Sequence, residues 1–171
     1  GCVSDIVAGK PDIDTSRKDA FDGPLIENPT GVVLHWTAGD PNADVDDFIS
    51  AIQSNTACEG GCTVQFYVKG DGTIYQLVDP INTKTAHAAG ANSCCIGIEI
   101  GGRGADDLLK NEDQKQAVVN LVAFLVEKFR MQTDTDVPGL KGILSHHILP
   151  QGIQRGKTDV GDAYLEQILT A

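Results

Sequence analysis

The first thirty residues show no sustained apolar period and are rich in Asp, Pro, Gly, Ser and Thr, so they read as an extended arm or loop wrapping the domain that follows. At Gly31 the pattern changes. Val32, Val33 and Leu34 predict a short buried strand that runs into the polar stretch His35-Trp36-Thr37-Ala38-Gly39. Val45, Phe48, Ile49 and Ile52 recur at helical spacing behind Asn42 or Asp44 as cap. Apolar alternation over 64–68 and 73–78 flanks Lys69-Gly70-Asp71-Gly72, the signature of a β-hairpin. Ile96-Gly97-Ile98-Glu99-Ile100 reads as a buried strand that carries a carboxylate among apolar neighbours. From Glu112 to Arg130 the chain predicts its longest helix, with Ala117, Val118, Leu121, Leu125 and Phe129 on one face and Asn111 available as cap. Lys141 to Ser145 predicts a last strand leading into His146-His147, 150–156 a loop, and Asp162 to Leu169 a closing helix.

Strands interleaved with helices around a hairpin predict an α/β (mixed α+β) single domain, a central mixed β-sheet flanked by helices. The expected division is an arm over 1–30 and a catalytic domain over 31–171, in a chain of 171 residues with material for one core. The longest greasy stretch, Val118 to Val126, is broken by Asn120, so no transmembrane segment is expected.

Charge narrows the partners. A formal net charge of −11 without a Lys/Arg cluster repels phosphate backbones, which excludes nucleic acid as an expected partner. The same field repels anionic cell walls, so binding has to come from a shaped site. A monomer is expected.

Four of the five cysteines cluster as Cys58 and Cys62, then Cys94 and Cys95. Disulfides in an oxidising compartment are the favoured reading; thiolate metal binding is the rival, without zinc-ribbon spacing, and the connectivity stays open. Gly1-Cys2 matches the end of a bacterial lipobox, which makes Cys2 a candidate lipid anchor.

The residues able to carry chemistry are His35 at a strand end, Glu99 within a strand, His146 at another strand end, and the Lys157-x-Asp159 pair. Singly, each has an ordinary structural explanation, as a satisfied histidine or a turn residue. Together, two imidazoles and a carboxylate form the ligand set of an open catalytic zinc site. His147 competes with His146; if the strand continues past Ser145, the two side chains face opposite ways.

In its motifs the chain resembles the zinc N-acetylmuramoyl-L-alanine amidases of the type-2 class, which include phage lysozyme-amidases and the peptidoglycan recognition proteins. The motifs are His35-Trp36-Thr37-Ala38-Gly39, Asp71-Gly72-Thr73-Ile74, Ala86-His87-Ala88-Ala89-Gly90, Ile96-Gly97-Ile98-Glu99, Ser145-His146 and Lys157-Thr158-Asp159-Val160-Gly161. The resemblance implies Zn2+ held by His35, His146 and Asp159, catalytic roles for Glu99 and Lys157, and cleavage of the amide between N-acetylmuramic acid and L-alanine in peptidoglycan or muropeptides. It also implies an amidase-like fold and a secreted or cell-envelope location, periplasmic or extracellular. Trp36 and His87 are candidate substrate contacts, with packing and loop-fixing as their respective alternatives.

Two positions depart from the family pattern. Val64 stands where phage enzymes carry a catalytic Tyr, which favours the mechanism centred on Glu99, and Val160 stands where Pro is usual. Competing functions are a non-catalytic peptidoglycan-binding module and a zinc amidohydrolase acting on another amide.

Overall fold

A computed structural model describes residues 10–171. Cys2 and its lipid-anchor reading lie outside the described residues. In chain order the elements are β1 (Ile13–Asp14), β2 (Gly31–Trp36), α1 (Val45–Gln53), β3 (Phe66–Val68), β4 (Ile74–Gln76), β5 (Cys95–Ile100), α2 (Ala105–Leu109), α3 (Glu112–Phe129), β6 (Thr135–Asp136), β7 (Lys141–Ser145), a single 3-10 turn (His146–Ile148), α4 (Pro150–Gln154) and α5 (Asp162–Leu169).

The strands form one seven-stranded mixed sheet in the order β1-β4-β3-β5-β2-β7-β6. Its centre, β3-β5-β2-β7, is parallel, while β3–β4 and β6–β7 pair antiparallel. The mixed sheet flanked by helices is the architecture that the sequence predicts.

Alternation along the central strands sends side chains to opposite faces. Val32 and Leu34 of β2, and Ile96, Ile98 and Ile100 of β5, pack with Val118, Leu121 and Leu125 of α3 and Leu165 and Ile168 of α5 in the main core. Val33, Cys95 and Leu144 belong to a smaller cluster on the other face. His35 and Glu99 share that second parity, so the face opposite α3 and α5 carries these polar groups beside its smaller apolar clusters.

Both helix caps inferred from sequence are made. The side chain of Asp44 accepts a hydrogen bond from the backbone N–H of Asp46, and that of Asn111 from Gln114.

Other expectations need correction. The segment 150–156, expected as a loop, begins with the short helix α4. Pro150 sits in its first turn, where a missing N–H costs nothing. Gly152 is required because a Cβ there would lie 1.9 Å from the His146 carbonyl oxygen. The arm also contributes structure: Ile13–Asp14 pairs with β4, and Phe21 and Ile26 are buried. Two-residue strands are too short for any periodicity to reveal. The disulfides close within each cysteine cluster, Cys58–Cys62 and Cys94–Cys95. All four clustered thiols are thereby consumed, which removes the thiolate-metal alternative.

Candidate active site

The site lies at the carboxyl ends of the parallel strands, where open sheets place their ligands. His35, near the end of β2, is the register partner of Glu99 on β5, and Leu34 is the partner of Ser145, the last residue of β7. His146 follows immediately. Asp159 arrives from the segment before α5, tied to the strand end by its backbone. Its carbonyl accepts hydrogen bonds from the His147 N–H (2.8 Å) and the Ser145 hydroxyl (2.9 Å), and the Val160 N–H donates to Ser145 Oγ (2.7 Å).

The three candidate ligands converge. His35 Nδ1 lies 3.1 Å from His146 Nδ1, and each nitrogen is 3.3 Å from Asp159 Oδ2. All three side chains are buried. Ligand atoms about 2.0–2.1 Å from a tetrahedral Zn2+ stand about 3.3 Å apart, so this spacing fits that ion. Lone pairs packed this closely repel unless a proton or a cation sits among them, and the cluster is a group able to hold a metal.

His147 takes no part. Its ring nitrogens lie 2.6 Å from Ser145 Oγ and 2.6 Å from Asp162 Oδ1, on the α5 side of the strand end.

The electrostatics follow from burial. Desolvation works against charge on Asp159, but its close contacts with the imidazoles of His146 and His35 outweigh it and hold the carboxyl below the usual range. Burial pushes Glu99 well above its ordinary value; the negative charge of Asp159 adds to the rise and Lys157 opposes it. One Glu99 oxygen, Oε2, is buried without a hydrogen-bond partner among the described residues. Burial lowers His35, against the pull of Asp159, and takes His87 down to about 3, with the charge of His35 as a second cause.

Glu99, Lys157 and the three converging residues all line one open groove of about 390 Å3. Its far wall comes from the end of α1 and the Cys58–Cys62 loop, and Arg155 reaches across to the Ala57 carbonyl at 3.5 Å. Trp36 borders the groove while packing against the main core. His87 also lines it, yet both ring nitrogens are engaged: Nδ1 lies 3.0 Å from His35 Nε2, and Nε2 lies 3.0 Å from the Cys95 carbonyl.

Sequence reasoning missed Ser145 as the clasp on Asp159 and Arg155 as part of the groove. It also passed over Gly97, where a Cβ would stand 2.7 Å from the His87 ring. A glycine between the isoleucines of a buried strand was the available signal for a close approach.

Fold and site together define a single-domain α/β protein with a buried centre of two histidines and one carboxylate at the carboxyl edge of its sheet. The family model described as N-acetylmuramoyl-L-alanine amidase matches residues 26–162, so the chain belongs to that family and is an amidase. No match is found among curated protein sequences. Among solved structures, the N-acetylmuramoyl-L-alanine amidase LysC from Clostridium intestinale is similar, with a TM-score of 0.65 and 22% identity over 94% of this chain and 97% of that one. The Ph2119 endolysin of a Thermus scotoductus bacteriophage aligns with a TM-score of 0.65 at 18% identity, covering 92% and 98% of the two chains. Peptidoglycan recognition protein-LE, in complex with tracheal cytotoxin, a monomeric diaminopimelic acid-type peptidoglycan, gives a TM-score of 0.65 and 22% identity over 90% and 87%. At these identities the likeness is one of fold.

Proposed function

We propose that the protein hydrolyses the amide between N-acetylmuramic acid and L-alanine in peptidoglycan or its fragments, with Zn2+ held by His35, His146 and Asp159. The observation that carries this reading is the convergence of those three ligand atoms at tetrahedral spacing, in one groove with Glu99 and Lys157. Bound there, zinc supplies a Lewis acid that polarises the scissile carbonyl and eases loss of a proton from water.

The chain's own residues do the rest. Glu99, beside His35 in the sheet, accepts the proton of the attacking water as the new C–O bond forms. It then delivers that proton to the alanine nitrogen as the C–N bond breaks. Burial raises the proton affinity of this carboxyl, which favours its taking up the proton of the attacking water. Lys157 places its ammonium charge in the groove, where negative charge gathers on the former carbonyl oxygen.

Two disulfides fit a secreted or cell-envelope setting. We assign the chemistry to residues 31–171, with the described residues 10–30 as an arm laid over them. Mass spectrometry of digested muropeptides tests the reaction: released stem peptide with a free L-alanine amine and intact glycan supports it. Fragments cut at any other bond, or no fragments, would refute it.

A further inference from the structure

His87 has no part in the proton transfers described above, yet both its ring nitrogens and the loop that carries it are held in place. Its backbone N–H and that of Ala88 both donate to Asn92 Oδ1, at 2.9 and 2.8 Å, which fixes the loop that carries it. Its ring lies over Gly97, the one position of β5 without a side chain to displace it. The hydrogen bonds then run in one direction. A carbonyl oxygen only accepts, so the Cys95 carbonyl requires a proton on His87 Nε2. A doubly protonated His87 would be a buried charge with no carboxylate in contact among the described residues, so its Nδ1 is a bare acceptor. That acceptor faces His35 Nε2 and calls for a proton there, which leaves His35 Nδ1 unprotonated and turned toward His146 and Asp159.

We propose that His87 is a positioning residue that locks His35 in its Nε2–H tautomer and so presets Nδ1 as a metal ligand, with the Cys95 carbonyl as the fixed end of the relay. The inference rests on the zinc reading of the site but not on which bond the enzyme cuts. Outer partners of this kind typically contribute about 10- to 100-fold to metal affinity.

The test uses two readouts besides activity. Nitrogen-15 NMR of the metal-free wild type should report His35 as the Nε2–H tautomer, and zinc competition against a chelator should give a Kd about 10- to 100-fold weaker for His87→Ala. Gly97→Ala, which crowds the ring without altering its chemistry, should weaken zinc in the same direction. An Nδ1–H His35 in the wild type overturns the proposal, as does a folded His87→Ala that binds zinc within about twofold of wild type. If His87→Ala does not fold, the wild-type spectrum decides by itself. A wild type with the expected tautomer and zinc affinity that leaves muropeptides uncut would refute the proposed reaction and leave the relay standing.

Discussion

Glu99 and His35 are register partners across the parallel β2–β5 pair, so the candidate base and a candidate ligand are set side by side by backbone pairing rather than by loops. Both strands are buried along the pair except at the half-buried Glu99 and Trp36, and their backbone pairing leaves little freedom for His35 and Glu99 to drift apart. The same placement burdens the fold, because it buries the Oε2 of a carboxylate with no partner for it among the described residues.

Glu99→Gln should therefore separate activity from stability. The folded carboxyl is raised above its usual value of 4.5, so the protonated form is favoured in the fold. The resulting penalty is absent in acid, grows as pH rises from the unfolded value toward the folded one, and stays in full above it. A neutral amide removes it. Thermal unfolding of the metal-free protein at neutral pH should show a higher Tm for Glu99→Gln than for wild type, together with loss of muropeptide cleavage. In wild type the rate should fall in acid as Glu99 is protonated, with the falling limb above the ordinary carboxylate range.

Lys157→Ala should leave zinc content unchanged and lower kcat by about 100- to 1000-fold, the usual loss on removing one oxyanion donor. Metal analysis beside steady-state kinetics checks this. A drop in KM-linked terms alone would point to substrate binding instead.

Ser145→Ala tests the clasp on Asp159. The hydroxyl donates to the Asp159 carbonyl, accepts from the Val160 N–H and lies 2.6 Å from His147, all in a buried setting. Its removal takes the acceptor from the buried Val160 N–H, while the Asp159 carbonyl keeps the His147 N–H, and should cost about 1–3 kcal/mol of stability by chemical denaturation. Zinc affinity should fall with it, since Asp159 loses an anchor.

Much of this was legible in the sequence, for identifiable reasons. The strands β2 and β5, the hairpin and the long helix α3 each carry an apolar period long enough to recognise, and Asp44 and Asn111 stand where caps belong. His35, His146, Glu99, Lys157 and Asp159 were singled out from strand ends and motif order, and the structure gathers them into one groove. Helix α4 stayed hidden because Pro150 and Gly152 read as loop residues, although one sits in a first turn and the other admits the His146 carbonyl. The cysteine pairing stayed open because spacing alone cannot say whether Cys58 meets Cys62 or a distant partner. What Ser145 and His87 hold in place depends on contacts across 14 and 52 positions of sequence, which no local pattern records.

The central claim is that cleavage of the muramoyl–alanine amide depends on zinc held by His35, His146 and Asp159. The most direct measurement is cleavage of a muropeptide by the wild type after chelation and again after stoichiometric zinc is restored, with Asp159→Ala carried in parallel. The account predicts that activity vanishes on chelation, returns with one equivalent of zinc, and returns in no condition for Asp159→Ala. Undiminished cleavage by the chelated wild type, or by a metal-free Asp159→Ala, would contradict it.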